Sequence, residues 1–327
     1  MERLRHDDPT RIGPYATLAR LDSESAERTV PERRYLARTA PDGERTALVC
    51  VPRVGADPSR WAIEAEGARR LSVPGFLTIA EVGGSAGFPW YTAPYTPVLP
   101  LPAALAAYGG PLPEDTVRSL GAALARTLAA AHAHGATHAG LSPAAVLLTP
   151  TGPLLASFGA TRAELTGHAP GCLPPERSTG TPPDPAGDIY ALGAVLAYAA
   201  TGHTVPDHTE LPPGLRHLTA ACLARDPANR PASAHDVLRE LATPAASRGP
   251  AQPSPGAAPA RDPRLPATAS LAPAPLPAVT VLDHAGSVPL PLPGRVVAAL
   301  ATQSGALLAA ELPVSSQPFA VSTQKAH

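Results

Sequence analysis

Between Pro244 and Pro293 the sequence places 13 prolines in 50 residues, with Ala, Ser and Gly filling much of the remainder. Each proline removes a backbone donor, and so little apolar side chain is left that the segment cannot offset the entropy of ordering itself. It reads as a partly extended linker over residues 244–293. Whatever folds into a core therefore lies before it, over residues 15–243. Residues 1–14 form an N-terminal extension, and residues 294–327 a short C-terminal segment of unassigned structure. The hydrophobic fraction of 44% in 327 residues is enough for a sizeable core in the proline-poorer part.

Charge and cysteine usage exclude several classes. The net charge is −1 and the arginines are scattered among acids, which gives no electrostatic basis for nucleic acid or an anionic membrane as a partner. Cys50, Cys172 and Cys222 are odd in number and without ligand spacing, so neither a disulfide framework nor a zinc site is indicated. The N-terminal stretch "MERLRHDDPTRIGPY" is charged throughout and unlike a secretory signal, so a cytoplasmic location is expected.

Periodicity divides the first part again. "YATLARL", "RYLAR" and "TALVCV" are short apolar runs broken by turn residues, with Asp42-Gly43 as a hairpin turn, and predict antiparallel strands. "RWAIEAEGARRL" predicts a helix; "GFLTIAEV" and "WYTAPYT" predict two more strands. Beyond them the pattern turns helical: "LPAALAAYG", then Pro113 to Gly135, then the nearly all-apolar "DIYALGAVLAYAATG", too short to span a bilayer and so a buried helix. "LPPGLRHLTAACLARD" and "SAHDVLRELAT" add two more. The expected fold is α+β: a small antiparallel-sheet lobe over 15–97 followed by a helical lobe over 98–243. In the tail, "GRVVAALATQSGALLAAEL" is interrupted by Thr302, Gln303, Ser304 and Gly305 and ends at Glu311, so a membrane span is not expected, and two strands about a turn at Ser304-Gly305 are at least as good a reading.

On several signatures in order the chain resembles the bacterial Hanks-type serine/threonine protein kinases, as a degenerate member of pseudokinase type. "HAGLSPAAVLL" (His138 to Leu148) stands where that family has His-Arg-Asp-Leu-Lys-Pro-x-Asn-Val-Leu-Leu, and "SFG" (Ser157 to Gly159) where it has Asp-Phe-Gly. "APGCLPPE", "GDIYALGAVLAYAATG" and "CLARDPANRP" match the end of the activation segment, the central helix and the late Arg-Pro signature. The resemblance implies a two-lobed kinase-like fold, and it places the phosphate-pairing lysine at Cys50, the base at Gly140, the lysine on the transferring phosphate at Ser142, and the magnesium ligands at Ala145 and Ser157. None of these residues can do those jobs. Composition makes the loss insensitive to alignment: the sole lysine is Lys325, the sole asparagine Asn229, and no aspartate lies between Asp115 and Asp184.

Where the family has a glycine-rich loop, the chain reads "DSESAERTVPERR", whose Asp22, Glu24 and Glu27 would repel phosphates. Ala139 replaces the arginine that reads activation-loop phosphorylation, Ala169 the threonine that braces the base, and "TVPDHTELP" is too short for a further docking helix. What the resemblance retains is structural: His138 and Phe158 in apolar spine positions, Asp188 accepting backbone hydrogens from the catalytic loop, and Glu176 with Arg230 as an ion pair. Glu64 matches the family's helix glutamate but has lost its lysine, which leaves it reading as a solvated surface residue. Pro94 and Thr96 are the candidate adenine hinge, opposed by Leu48 where the family has a small roof alanine.

His132, His134 and His138 do not share a helix face and have no companion ligand, so no metal is expected. Cys50 reads as a small buried hydrophobe, and Ser142 and Ser157 have no paired base. The function expected is a non-enzymatic interaction or scaffold module in bacterial Ser/Thr kinase signalling, with a protein partner such as another kinase and no cofactor. The alternative is a nucleotide-binding or weakly active serine/threonine kinase using ATP.

Overall fold

A computed structural model describes residues 1–23, 32–39, 45–53, 56–71, 73–85, 87–162, 171–207, 209–242 and 290–311, with side chains in the last stretch described to residue 303. The proposed turn at Asp42-Gly43, Glu24, Glu27, Ala169, residues 243–289 of the linker and residues 312–327 lie outside them.

The small lobe is a six-stranded antiparallel sheet in the order β1-β2-β3-β4-β6-β5, formed by β1 (Arg11–Ile12), β2 (Tyr15–Arg20), β3 (Glu32–Thr39), β4 (Thr46–Pro52), β5 (Glu81–Ser85) and β6 (Phe88–Pro94). Residues 1–14, expected as an extension, are built into it. β1 pairs with β2, Glu2 bridges Arg20, and the buried Asp8 accepts from Tyr35 Oη at 2.8 Å and pairs with Arg20 at 3.3 Å. "GFLTIAEV" is strand only at its end: residues 75–77 instead tie into the large lobe, with Leu77 N donating to Leu155 O and Leu155 N to Gly75 O, both at 2.8 Å.

Strand alternation sorts the sheet into two faces. Tyr35, Ala37, Ala47 and Val49 join Ile12, Tyr15 and Trp90 in an outer cluster. Glu32, Arg34, Leu36, Leu48 and Cys50 therefore face the other way, toward the large lobe; the register sets Arg34 opposite Cys50 and Leu36 opposite Leu48. Helix α1 (Pro58–Arg70), capped by Asp57 accepting from Ser59 N and Arg60 N, covers this second face through Trp61 and Ala65.

The large lobe begins with β7 (Leu99–Pro100), which pairs with β8 (Val146–Thr149) and so with β9 (Gly152–Leu155). Its helices are α2 (Leu101–Tyr108), α3 (Glu114–Ala133), α4 (Pro185–Thr201), α5 (Pro213–Cys222) and α6 (Ala234–Ala242). α4 is buried nearly all round, as its composition predicts. Gly193 lets α5 approach, since a Cβ there would sit 2.5 Å from Cys222 Cβ.

The C-terminal segment departs from expectation. It is neither two strands nor a membrane span but a helix, α7 (Gly294–Glu311), and no described helix is long and apolar enough to cross a membrane. Alanine and leucine dominate it, and their propensity carries the backbone through the Ser304-Gly305 pair. Val296 and Leu300, four residues apart, are buried against the large-lobe core, and Leu290 and Leu292 pack on the same core. The linker's last residues are thus docked onto the domain.

Candidate functional site

The cleft between the lobes is lined by β3 and β4 from above and by residues 138–148 and 157–160 from below. Side chains of the chain itself fill it. Arg34, with no exposed side-chain surface, donates through Nε to Asp22 Oδ2 at 2.8 Å and through Nη2 to Asp22 Oδ1, and through Nη1 to the Ala144 carbonyl at 2.9 Å. All three guanidinium nitrogens are thus engaged. Burial alone would weaken the guanidinium, and the carboxylates of Asp22 and Glu32 more than offset it, so the cation is held charged. Glu32, two residues back on the same face, accepts from Ser157 Oγ at 3.0 Å and from Tyr91 Oη at 2.9 Å. Burial pushes its carboxyl up, against the pull of Arg34 and the two hydroxyls. Two links therefore cross the cleft: β3 to the 138–148 loop through Arg34, and β3 to Ser157 through Glu32.

Beside these polar links an apolar layer closes the slot. Leu21 just after β2, Leu48 of β4, Ala93 of β6, Val98 from the lobe connection and Leu147 from below belong to one buried cluster, none more than 3% exposed. Pro94 and Thr96 are exposed at its rim. A slot open to a planar base would leave these walls wetted; here they pack on one another.

The positions that the resemblance gives to chemistry are each accounted for. Cys50 is fully buried and its thiol pushed well above the ordinary value by that burial, the opposite of an activated nucleophile. Gly140 has no room to be anything else: a Cβ would stand 2.6 Å from Ser157 O and 2.8 Å from Ala160 Cβ. Ser142 Oγ accepts from Ala145 N at 3.3 Å, capping the turn at Pro143–Ala145, and Ala145 O accepts from Ala156 N at 2.8 Å. Ser157 holds a left-handed φ of 59° and Ala139 one of 52°, a conformation that costs a non-glycine residue about 1 kcal/mol. What stabilises it at Ala139 is plain. Its amide donates to Asp188 Oδ1 at 2.9 Å, and its carbonyl accepts from Thr161 N at 2.7 Å and Thr161 Oγ1 at 2.8 Å.

Asp188, at the first turn of α4, also accepts from His138 N at 2.7 Å and lies 2.9 Å from His132 Nε2. His138 is fully buried between Phe76 and Phe158, with Nε2 3.0 Å from the Ala156 carbonyl; burial drives its pKa down to about 4, so the ring is neutral and Nε2 is the donor. His134 turns back to Ala130 O, so the three histidines serve three separate partners. Glu176 accepts two bonds of 2.7 Å from Arg230, which also reaches the carbonyls of Ala224 and Ala186.

Glu64 is corrected. It is not a solvated surface residue but the partner of Arg162, which donates to it through Nε at 2.9 Å, reaches Thr137 O at 3.1 Å, and lies 4.6 Å over the Phe158 ring. Asp22 is corrected too: its carboxylate meets a cation of the same lobe instead of standing ready to repel phosphate. Sequence reasoning passed over Arg34, Glu32 and Arg162. The signal was present for the first two, because in "ERRYLART" strand alternation puts Glu32 and Arg34 on the face of Leu36, a buried pair of charges where apolar residues are the rule.

Over 274 aligned residues the chain is 32% identical to the probable serine/threonine-protein kinase PkwA of Thermomonospora curvata, an alignment that takes in 74% of this chain and 36% of that protein. It is 33% identical over 280 residues to the serine/threonine-protein kinase AfsK of Streptomyces griseus, covering 74% of this chain and 33% of that one. The chain belongs to the bacterial serine/threonine protein kinase family. It spans about a third of the length of these relatives. No protein-family model matches it. Among solved structures, the kinase domain of Mycobacterium tuberculosis PknI superposes with a TM-score of 0.55 at 24% identity, over 71% of this chain and 97% of that one, and PpkA-294 in its apo form with 0.56 at 20% identity, over 71% and 97%. These likenesses give the fold: a two-lobed kinase domain.

Magnesium-ATP, which that fold implies, does not fit the residues present. The base site is packed shut at Gly140, Ser157 and Ala145 stand where the carboxylate and amide would hold magnesium, and Arg34, a cation at the phosphate region, already has each of its three guanidinium nitrogens committed to Asp22 or Ala144.

Proposed function

We propose that this kinase-family domain is a pseudokinase: a protein-interaction module of bacterial Ser/Thr kinase signalling that performs no phosphoryl transfer. The observation that carries the reading is the Arg34 guanidinium, bonded through every nitrogen to Asp22 and Ala144 in the cleft. In an active enzyme the nucleotide and its metal bridge the lobes; here a strand side chain makes that bridge, which supports a domain whose closed shape is independent of ligand. The retained skeleton supports the same reading. Asp188 on the loop amides, Glu176 with Arg230 and the ring stack of Phe76, His138 and Phe158 each serve shape. A second reading, a nucleotide-binding domain, draws support from the exposed Pro94 and Thr96 and is opposed by the buried walls behind them.

The test is incubation of the purified chain with labelled ATP, magnesium or manganese, and a generic basic protein acceptor. The reading predicts no incorporation into either protein. Incorporation that disappears on substituting Ala93→Trp at the back of the slot would overturn it.

A further inference from the structure

We propose that the groove of the large lobe formed by α2 and the start of α3 is a docking site for an amphipathic helix, and that the arm of residues 290–303 covers it in cis as a displaceable occupant. The groove's occupant is on view. Val296 and Leu300 are buried in it, Leu290 and Leu292 lead into it, Pro291 O accepts from Thr116 Oγ1 at 3.0 Å, and Arg295 Nη1 donates to Tyr108 O at 3.3 Å, at the carbonyl end of α2 where a cation is favoured. An apolar pair four residues apart with a cation at the leading end is the chemistry of helix-in-groove recognition. A partner that fits is therefore another protein's helix with Leu or Val at that spacing and an arginine one position before it.

Two observations make the arm displaceable. Its seat is small, two buried apolar side chains (Val296 and Leu300) and three partly buried ones (Leu290, Leu292 and Ala299), whereas stable interfaces bury several times as many. It is also imperfect: Gln303, the next residue on the same face, is 7% exposed and its Oε1 has no hydrogen-bond partner. A buried amide oxygen without a donor weakens the contact it sits in. What holds the arm is its covalent tether, which sets an effective concentration of order millimolar and lets a modest seat stay filled until a tighter helix arrives. This inference stands on the α2–α7 contact and is independent of what the cleft does.

The test uses the full chain and a fluorescent synthetic peptide of residues 290–311 as probe, titrated by anisotropy against the native protein, Val296→Asp, which expels the arm, and Gln303→Leu, which seats it better. The expected order of peptide affinity is Val296→Asp above native above Gln303→Leu, with about tenfold or more between the first two, and hydrogen exchange at residues 101–108 faster in Val296→Asp until peptide is added. Equal affinity for all three proteins, or none for Val296→Asp while its circular dichroism stays native, would overturn the proposal. So would a concentration-dependent dimer of the native chain that Val296→Asp abolishes, since the groove would then belong to a second copy's arm.

Discussion

Arg34 and Asp22 show how a side chain's worth depends on its partner. A buried guanidinium left without its carboxylate is far more costly than the pair is beneficial, so Asp22→Ala or Arg34→Ala should each lower unfolding free energy by about 3–5 kcal/mol in urea titrations, while Asp22→Leu combined with Arg34→Met should lose less than the sum. His138 gives a pH dependence with a fixed sign. Its pKa of about 4 lies below the 6.5 of an unfolded histidine, so between these values the unfolded chain binds the proton and the folded one does not. Its contribution is therefore whole above about pH 6.5 and is lost as pH falls toward 4, about 3 kcal/mol in all. Denaturation at pH 7, 5.5 and 4.5 should show the slope, and His138→Phe should flatten it. Ala139 makes a smaller test: at φ 52° a glycine is unstrained, so Ala139→Gly should raise stability by roughly 0.5–1 kcal/mol, and a loss would mean that the methyl packs better than its strain suggests.

At the level of elements, the loop of residues 138–148 keeps its course because the bonds that its backbone makes with Asp188 and Thr161 fix it. Restoring a carboxylate at the base position should consequently fail. In Gly140→Asp the Cβ meets the Ser157 carbonyl at 2.6 Å, so the variant should lose about 2 kcal/mol or more and gain no transfer activity; native stability would show that the loop yields more than its packing implies. Much of this was legible in the sequence. The order of strands and helices, the Asp188 helix and the missing catalytic residues follow from periodicity and from residue types that do not occur. The Arg34 and Glu32 links did not, because a strand with a charged inward face breaks the apolar pattern by which strands are recognised, and their partners Ala144 and Ser157 lie more than 100 residues away. Helix α7 was missed for the opposite reason. Ser304 and Gly305 punctuate it locally, and the surface on α2 that its leading face packs against is invisible to a window of sequence.

As a whole, the molecule is a kinase-family domain whose cleft is bridged from within. Buried links from one strand, Arg34 to Ala144 and Glu32 to Ser157, cross the cleft, an apolar cluster runs through the slot beside them, and a tethered helix lies on the outer surface of the large lobe. The measurement that bears most directly on this is a thermal-shift titration of the full chain with ATP, with and without magnesium. A ligand at 100 times its dissociation constant stabilises the folded state by about 2.7 kcal/mol, several degrees for a domain of this size. The account predicts an unchanged midpoint up to several millimolar ATP under both conditions. A saturable upward shift under either would contradict it, for it would mean that the Arg34 and Glu32 links open to admit a nucleotide.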